Sequence, residues 1–163
     1  MLERIELTLA AIRTKLLKDE KIRKLLFHDS NNALEMLAPQ ENEIQNYITL
    51  KPVFEFENKN DYNQNTIVNI YTTQIIPTDD VKSCTGVVQI NVACNSDVWE
   101  LLDNKIRPLQ ICNKIIQLVH GQKFNVSNKL VLDSISDLII NKKMIGYALL
   151  FEITDGSGED NNF

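Results

Sequence analysis

One amphipathic helix standing between strand-like runs narrows the folds open to this chain. Residues 107–121, RPLQICNKIIQLVHG, encode it. Pro108 falls in the first helical turn, where its missing N–H costs nothing. Leu109, Cys112, Ile115, Ile116 and Val119 recur at helical spacing and are expected to share one buried face. Gly121 supplies a left-handed stop, and His120 lies near the negative end of the helix dipole. Upstream, residues 87–94 (VVQINVAC) alternate, with Val88, Ile90, Val92 and Cys94 on one side and Gln89 and Asn91 on the other. That alternation predicts a strand with one face buried and one face wet. Downstream, residues 130–140 and 145–154 read as strands joined by a tight connection at 141–143, with Tyr147, Leu149, Phe151 and Ile153 sharing a face. A helix laid across a sheet is the natural outcome.

The remaining segments supply the other layers. Leu2, Ile5, Leu9, Ile12 and Leu16 follow a 3-4 spacing that predicts an amphipathic helix over 2–17. Asp19 is placed to cap a second, short helix burying Ile22, Leu25 and Leu26. Residues 33–37 predict one further turn before Pro39. From Tyr47 the period changes to two, and Ile48, Leu50, Val53, Phe54 and Phe56 suggest a strand interrupted near Pro52. The polar stretch 57–65 reads as a loop or hairpin tip, residues 66–76 as a long strand, and 77–85 as a second polar connection. Residues 98–102 read as a helical approach to the 107–121 helix, with Trp99 as a core or interface anchor. The expected fold class is α+β. A single domain over residues 1–154 has a mostly antiparallel sheet, its apolar face covered by residues 2–26 and 107–120. Residues 155–163 (DGSGEDNNF) are acidic, bury little, and are expected to be a disordered tail.

Composition excludes several classes. The 163 residues carry a net charge of −5, and that balance argues against general nucleic-acid affinity, which needs a basic footprint. The charge is uneven, because residues 1–28 hold seven basic and four acidic side chains. Arg13, Lys15, Lys18, Lys21, Arg23 and Lys24 form that basic cluster, readable as a solvated helix face or as an anion- or DNA-facing surface. No uninterrupted apolar run suggests a secretory leader, and 145–151 is far too short to span a bilayer. The odd count of three cysteines, without metal or redox spacing, favours a reduced compartment.

Chemistry-bearing residues are sparse. Cys94 and Cys112 occupy apolar strand and helix positions, where a free thiol packs as a small hydrophobe. Cys84, in the 77–85 connection, is the candidate reactive thiol, but a pair with His120 lacks a third, orienting group. Glu55 and Glu57 fall on the same face of a strand, and Glu57-Asn58-Lys59 is an E-x-K triplet. In restriction-type nucleases such acids hold a metal while the lysine polarises the attacking water. The triplet runs into a polar loop, and the exposed edge of a hairpin is the preferred reading of these residues. With five glycines and no Gly-rich phosphate loop or nucleophile elbow, the reading assigns no catalytic, cofactor-binding or metal-binding residue and expects no enzyme.

The order of elements is a helix from Leu2, strands TIVNIYTTQII and GVVQINVAC, the RPLQICNKIIQLVHG helix, and a closing GYALLFEITD strand. This order resembles the tail-terminator or tail-completion (neck) proteins of tailed bacteriophages, over residues 2–155. The resemblance implies a structural virion protein, made in the host cytoplasm and resident in the tail or neck. It implies a homo-oligomeric ring, expected to be a hexamer, that ends tail-tube polymerisation and joins the tail to the head connector. Its partners would be copies of itself, the tube protein and the connector, with genomic DNA passing the lumen without specific binding. No membrane, cofactor or catalytic residue is implied. A small metal-dependent nuclease using Glu55, Glu57 and Lys59, or a cytosolic protein-interaction domain, are the alternatives.

Overall fold

The computed structural model describes residues 1–52, 64–79, 82–126 and 129–155. Three helices form where the 3-4 spacing predicts them: α1 (Leu2–Lys18), α2 (Glu20–Phe27) and α3 (Arg107–Val119). The break between α1 and α2 is chemical. Asp19 is extended, and its carboxylate accepts the Ile22 N–H at 2.9 Å, which starts α2 along a new axis. Gly121 adopts φ +71° and ends the α3 segment as expected.

Five strands make one sheet: β1 (Ile48–Thr49), β2 (Thr66–Pro77), β3 (Cys84–Asn95), β4 (Val131–Ile139) and β5 (Met144–Asp155). Their order is β1-β2-β3-β5-β4, with β1 parallel to β2 and every other neighbour antiparallel. Strands β3 and β4 therefore run parallel with β5 inserted between them. Parallel strands cannot be joined by a tight turn, so the chain crosses over the sheet, and α3 is that crossover. This is why a single helix between strand runs shapes the topology.

Register fixes sidedness. Val68, Val92 and Tyr147 lie in one row, Ile70, Ile90 and Leu149 in the next, and Thr72, Val88 and Phe151 in a third. With period 2 these side chains share a face. Val68, Ile70, Val88, Ile90, Val92, Leu149 and Phe151 form one buried cluster with Ile12 and Leu16 of α1, Ile22, Leu25 and Leu26 of α2, and Ile111, Ile115 and Val119 of α3, and Tyr147 packs against it. The α+β class with helices on one face of a mostly antiparallel sheet is what the sequence predicts.

Several details differ from expectation. In α3 the inward face is Arg107, Pro108, Ile111, Cys112, Ile115 and Val119, whereas Leu109 is 42% exposed. Strand β3 begins at Cys84, because the ladder continues to Pro77 on one side and Asp155 on the other. Cys84 is therefore a buried strand residue, not a loop thiol. Asn91, expected on the wet face, is buried. The approach to α3 consists of two 3-10 turns, Ser96–Val98 and Leu102–Asn104, rather than a helix. Strand β1 ends at Thr49. Val53, Phe54, Phe56 and the E-x-K residues Glu55, Glu57 and Lys59 lie outside the described residues, as does the tail beyond Asp155.

Gly146 shows how tightly β5 is set against β3. A Cβ at this position would run into the Val92 carbonyl oxygen, with backbone rather than a movable side chain in the way. Gly146→Ala must therefore displace one strand, at a cost of about 2 kcal/mol. Urea unfolding of the variant is expected to show the lower midpoint, with an unchanged slope.

Candidate assembly surface

The least common arrangement in the molecule is at Arg107. This side chain is fully buried, and no carboxylate is paired with it among the described residues. Backbone carbonyls take that role. Nε donates to Val98 at 2.7 Å, Nη1 to Leu25 at 2.7 Å and His28 at 2.6 Å, and Nη2 to Ser30 at 2.9 Å. Leu25 and His28 end α2, where unsatisfied carbonyls carry the negative pole of the helix. The guanidinium acts as a buried C-terminal cap supplied from another element. Burial pulls its pKa below the ordinary arginine value. The Arg107 N–H also donates to the Trp99 carbonyl at 2.9 Å, so the same residue pins the 96–106 segment.

That segment places Trp99 at the surface. Its ring stands 6.4 Å from Tyr147, inclined 40°, beside a groove of about 540 Å³ whose wall includes Asp97, Trp99, Glu100 and Ile145. Ile145 of β5, in the groove wall, pairs with Ile139 at the end of β4. Among the described residues β4 has a neighbour on one side only, β5. Ile135 pairs with Leu149 and Ile139 with Ile145, on the side the helices cover, yet they are 50% and 76% exposed. The helical layer thus stops short of this edge. A bulge between Leu132 and Ser134 turns Val131, 46% exposed, to the other face. Asp133 and Asp137 are exposed along the same strand. Bulges and charges are the usual protection of a free edge, but three exposed β-branched apolar residues on it are not. The β4 start is held by His120, whose Nδ1 accepts the Leu132 N–H at 3.0 Å, and by the Gly121 N–H donated to Leu130 at 2.7 Å.

The opposite edge has other chemistry. Arg13 donates from Nε to the Ile48 carbonyl and from Nη2 to Gln45, both at 2.7 Å. Beside it a groove of about 520 Å³ is lined by residues that include Ile48, Thr49 and the exposed Leu50. Three of the other cations in the basic cluster are engaged by groups of the same chain. Lys24 meets Glu20 at 3.0 Å, Lys21 donates to Gln110 at 2.8 Å, and Arg23 donates to the carbonyls of Pro39, Leu17 and Lys18. This favours the solvated helix face over a DNA-facing surface.

The candidate thiols are packing groups. Cys84, Cys94 and Cys112 are buried. Burial pushes the Cys94 thiol up to about 11 and that of Cys112 to about 12. Neither is a thiolate near neutrality. On the face away from the helices, Asn69 and Asn91 pair across β2 and β3. Asn69 Nδ2 donates to the Lys51 carbonyl at 2.9 Å and Gln89 Nε2 to Asn91 Oδ1 at 2.8 Å. Among the described residues no three His, Cys, Asp or Glu side chains converge to hold a metal ion, and no helix is long and apolar enough to cross a membrane. The Glu55, Glu57 and Lys59 triplet has no described geometry from which a nuclease site could be built.

A small α+β domain with a helical layer on one face, and a long apolar-studded edge strand beyond that layer, is the class these observations define. The YomW family model matches residues 19–153, from the Asp19 cap of α2 into β5. The chain belongs to the YomW family, a phage-derived family named after a gene of a Bacillus prophage. No curated protein matches the chain.

Proposed function

We propose that this protein is a ring-forming structural component of a phage tail, placed at the head-proximal end of the tube. There it stops polymerisation and joins the tail to the head connector. The observation that carries the proposal is the β4 edge, nine residues long with Val131, Ile135 and Ile139 exposed. Among the described residues no strand lies beyond it, although His120 takes the Leu132 N–H, and such an edge is a template for pairing with another chain. The phage-derived family supports the virion setting. The proposal gives the protein no chemical step. One ring face matches the end of the tube, and the other lacks the surface the next tube ring needs, so growth ends there. A charge of −5 on each copy keeps a DNA-carrying lumen from binding its cargo.

Native mass measurement across a concentration series tests the assembly. The expected species is a closed multiple of the 18.7 kDa chain, a hexamer by the resemblance, gaining population with concentration. A monomer that persists at the highest soluble concentration contradicts the proposal.

A further inference from the structure

We infer that neighbouring copies join through opposite edges of the sheet, β4 of one copy seated against the β1 edge of the next. The inference rests on the ring reading and names the contact that closes it. A ring needs a heterologous interface, in which two different surfaces meet. The two edges are the ends of one five-stranded sheet, so they face away from each other on the same chain. At about 4.8 Å per strand spacing they stand roughly 19 Å apart. Such a pair of edges joins copies head to tail.

Charge and apolar area decide the partner of β4. Asp133 and Asp137 lie exposed on this edge and meet no cation among the described residues. At the other edge Arg13 uses its Nε and Nη2 donors on backbone carbonyls and has no carboxylate partner among the described residues. Its charge and remaining N–H groups are left for an acid from outside the chain. Ile135 is half exposed and Ile139 largely exposed, and the β1 edge offers a groove beside the 41% exposed Leu50. Pairing β4 with itself is the less favourable use of the edge. An antiparallel β4–β4 contact centred on Ile135 sets each Asp133 opposite the Asp137 of the other copy, and like charges facing across strands repel. The β4–β1 contact sets acid against base and isoleucine against leucine.

Engineered thiols test this directly, because Cys84, Cys94 and Cys112 are buried and stay out of surface oxidation. Asp137→Cys and Leu50→Cys are made singly and together, and treated with oxidant or with a short bis-maleimide to tolerate small offsets in register. Each single variant alone is expected to stay uncrosslinked, an equal mixture to give heterodimers only, and the double variant to give a ladder that stops at the ring size. Asp133→Asn with Asp137→Asn is expected to raise the concentration needed for assembly about tenfold. Self-crosslinking of Asp137→Cys alone overturns the inference in favour of β4–β4 pairing. A closed ring by native mass with no crosslink in the mixture overturns the inference and leaves the ring reading standing. Absence of both ring and crosslink overturns both.

Discussion

Arg107→Met is expected to destabilise the protein by about 4 kcal/mol or more, and to lower the melting temperature by about 10 °C. The methionine fills much of the same volume and adds no charge, so lost packing is not the main term. The loss comes from the carbonyls of Leu25, His28 and Val98, which lose the guanidinium as donor, while that of Ser30 keeps the Ala33 N–H. Arg107→Lys is expected to recover only part of the loss, because an ammonium on a shorter stem cannot reach all four positions of the planar fork. Thermal melts of the three proteins decide the point. A methionine variant within 2 °C of wild type, on the order of half a kcal/mol, would show that the carbonyls find other partners.

Ile115→Asp is the second large effect expected. Ile115 is fully buried at the middle of α3, in the cluster that joins the helix to the sheet. The substitution removes apolar volume and places an unpaired carboxylate in the core, a combined cost on the order of 5 kcal/mol or more. Total stabilities of small domains run from about 5 to 15 kcal/mol, so most or all of the margin is lost. Circular dichroism and solubility report the outcome. A soluble variant with a native melt would remove α3 from the core of the account.

The fold was legible because sidedness is written locally. Ile5, Ile12 and Leu16, then Ile22, Leu25 and Leu26, repeat at helical spacing, and Val88, Ile90 and Val92 repeat at two; each set is buried where its period places it. What escaped depends on partners distant in sequence. A charged residue at the start of α3 reads as a solvent-facing one, so Arg107 gave no sign that it turns inward. With Arg107 inward, Ile111 and Ile115 follow on the same face at four and eight residues on, and Leu109 stays exposed. Asn91 was expected to be wet because alternation reports polarity. Its burial comes from a row that includes Asn69 of β2 and Ala148 of β5, which local alternation does not record. Strand β4 was recognised as a strand, yet its place at the edge was not. Leu132, Ile135 and Ile139 look like core residues until the crossover through α3 puts β5 between β4 and the rest of the sheet. The exposed apolar edge, which carries the functional proposal, is therefore a property of topology.

Length control and joining are the heart of the proposed role. Electron microscopy of particles made by a phage that encodes this protein, with its gene removed, tests them directly. Tails of uncontrolled length, separate from filled heads, are expected, with normal tails restored when the protein is supplied in trans. Tails of normal length joined to filled heads in the absence of the protein would contradict that role.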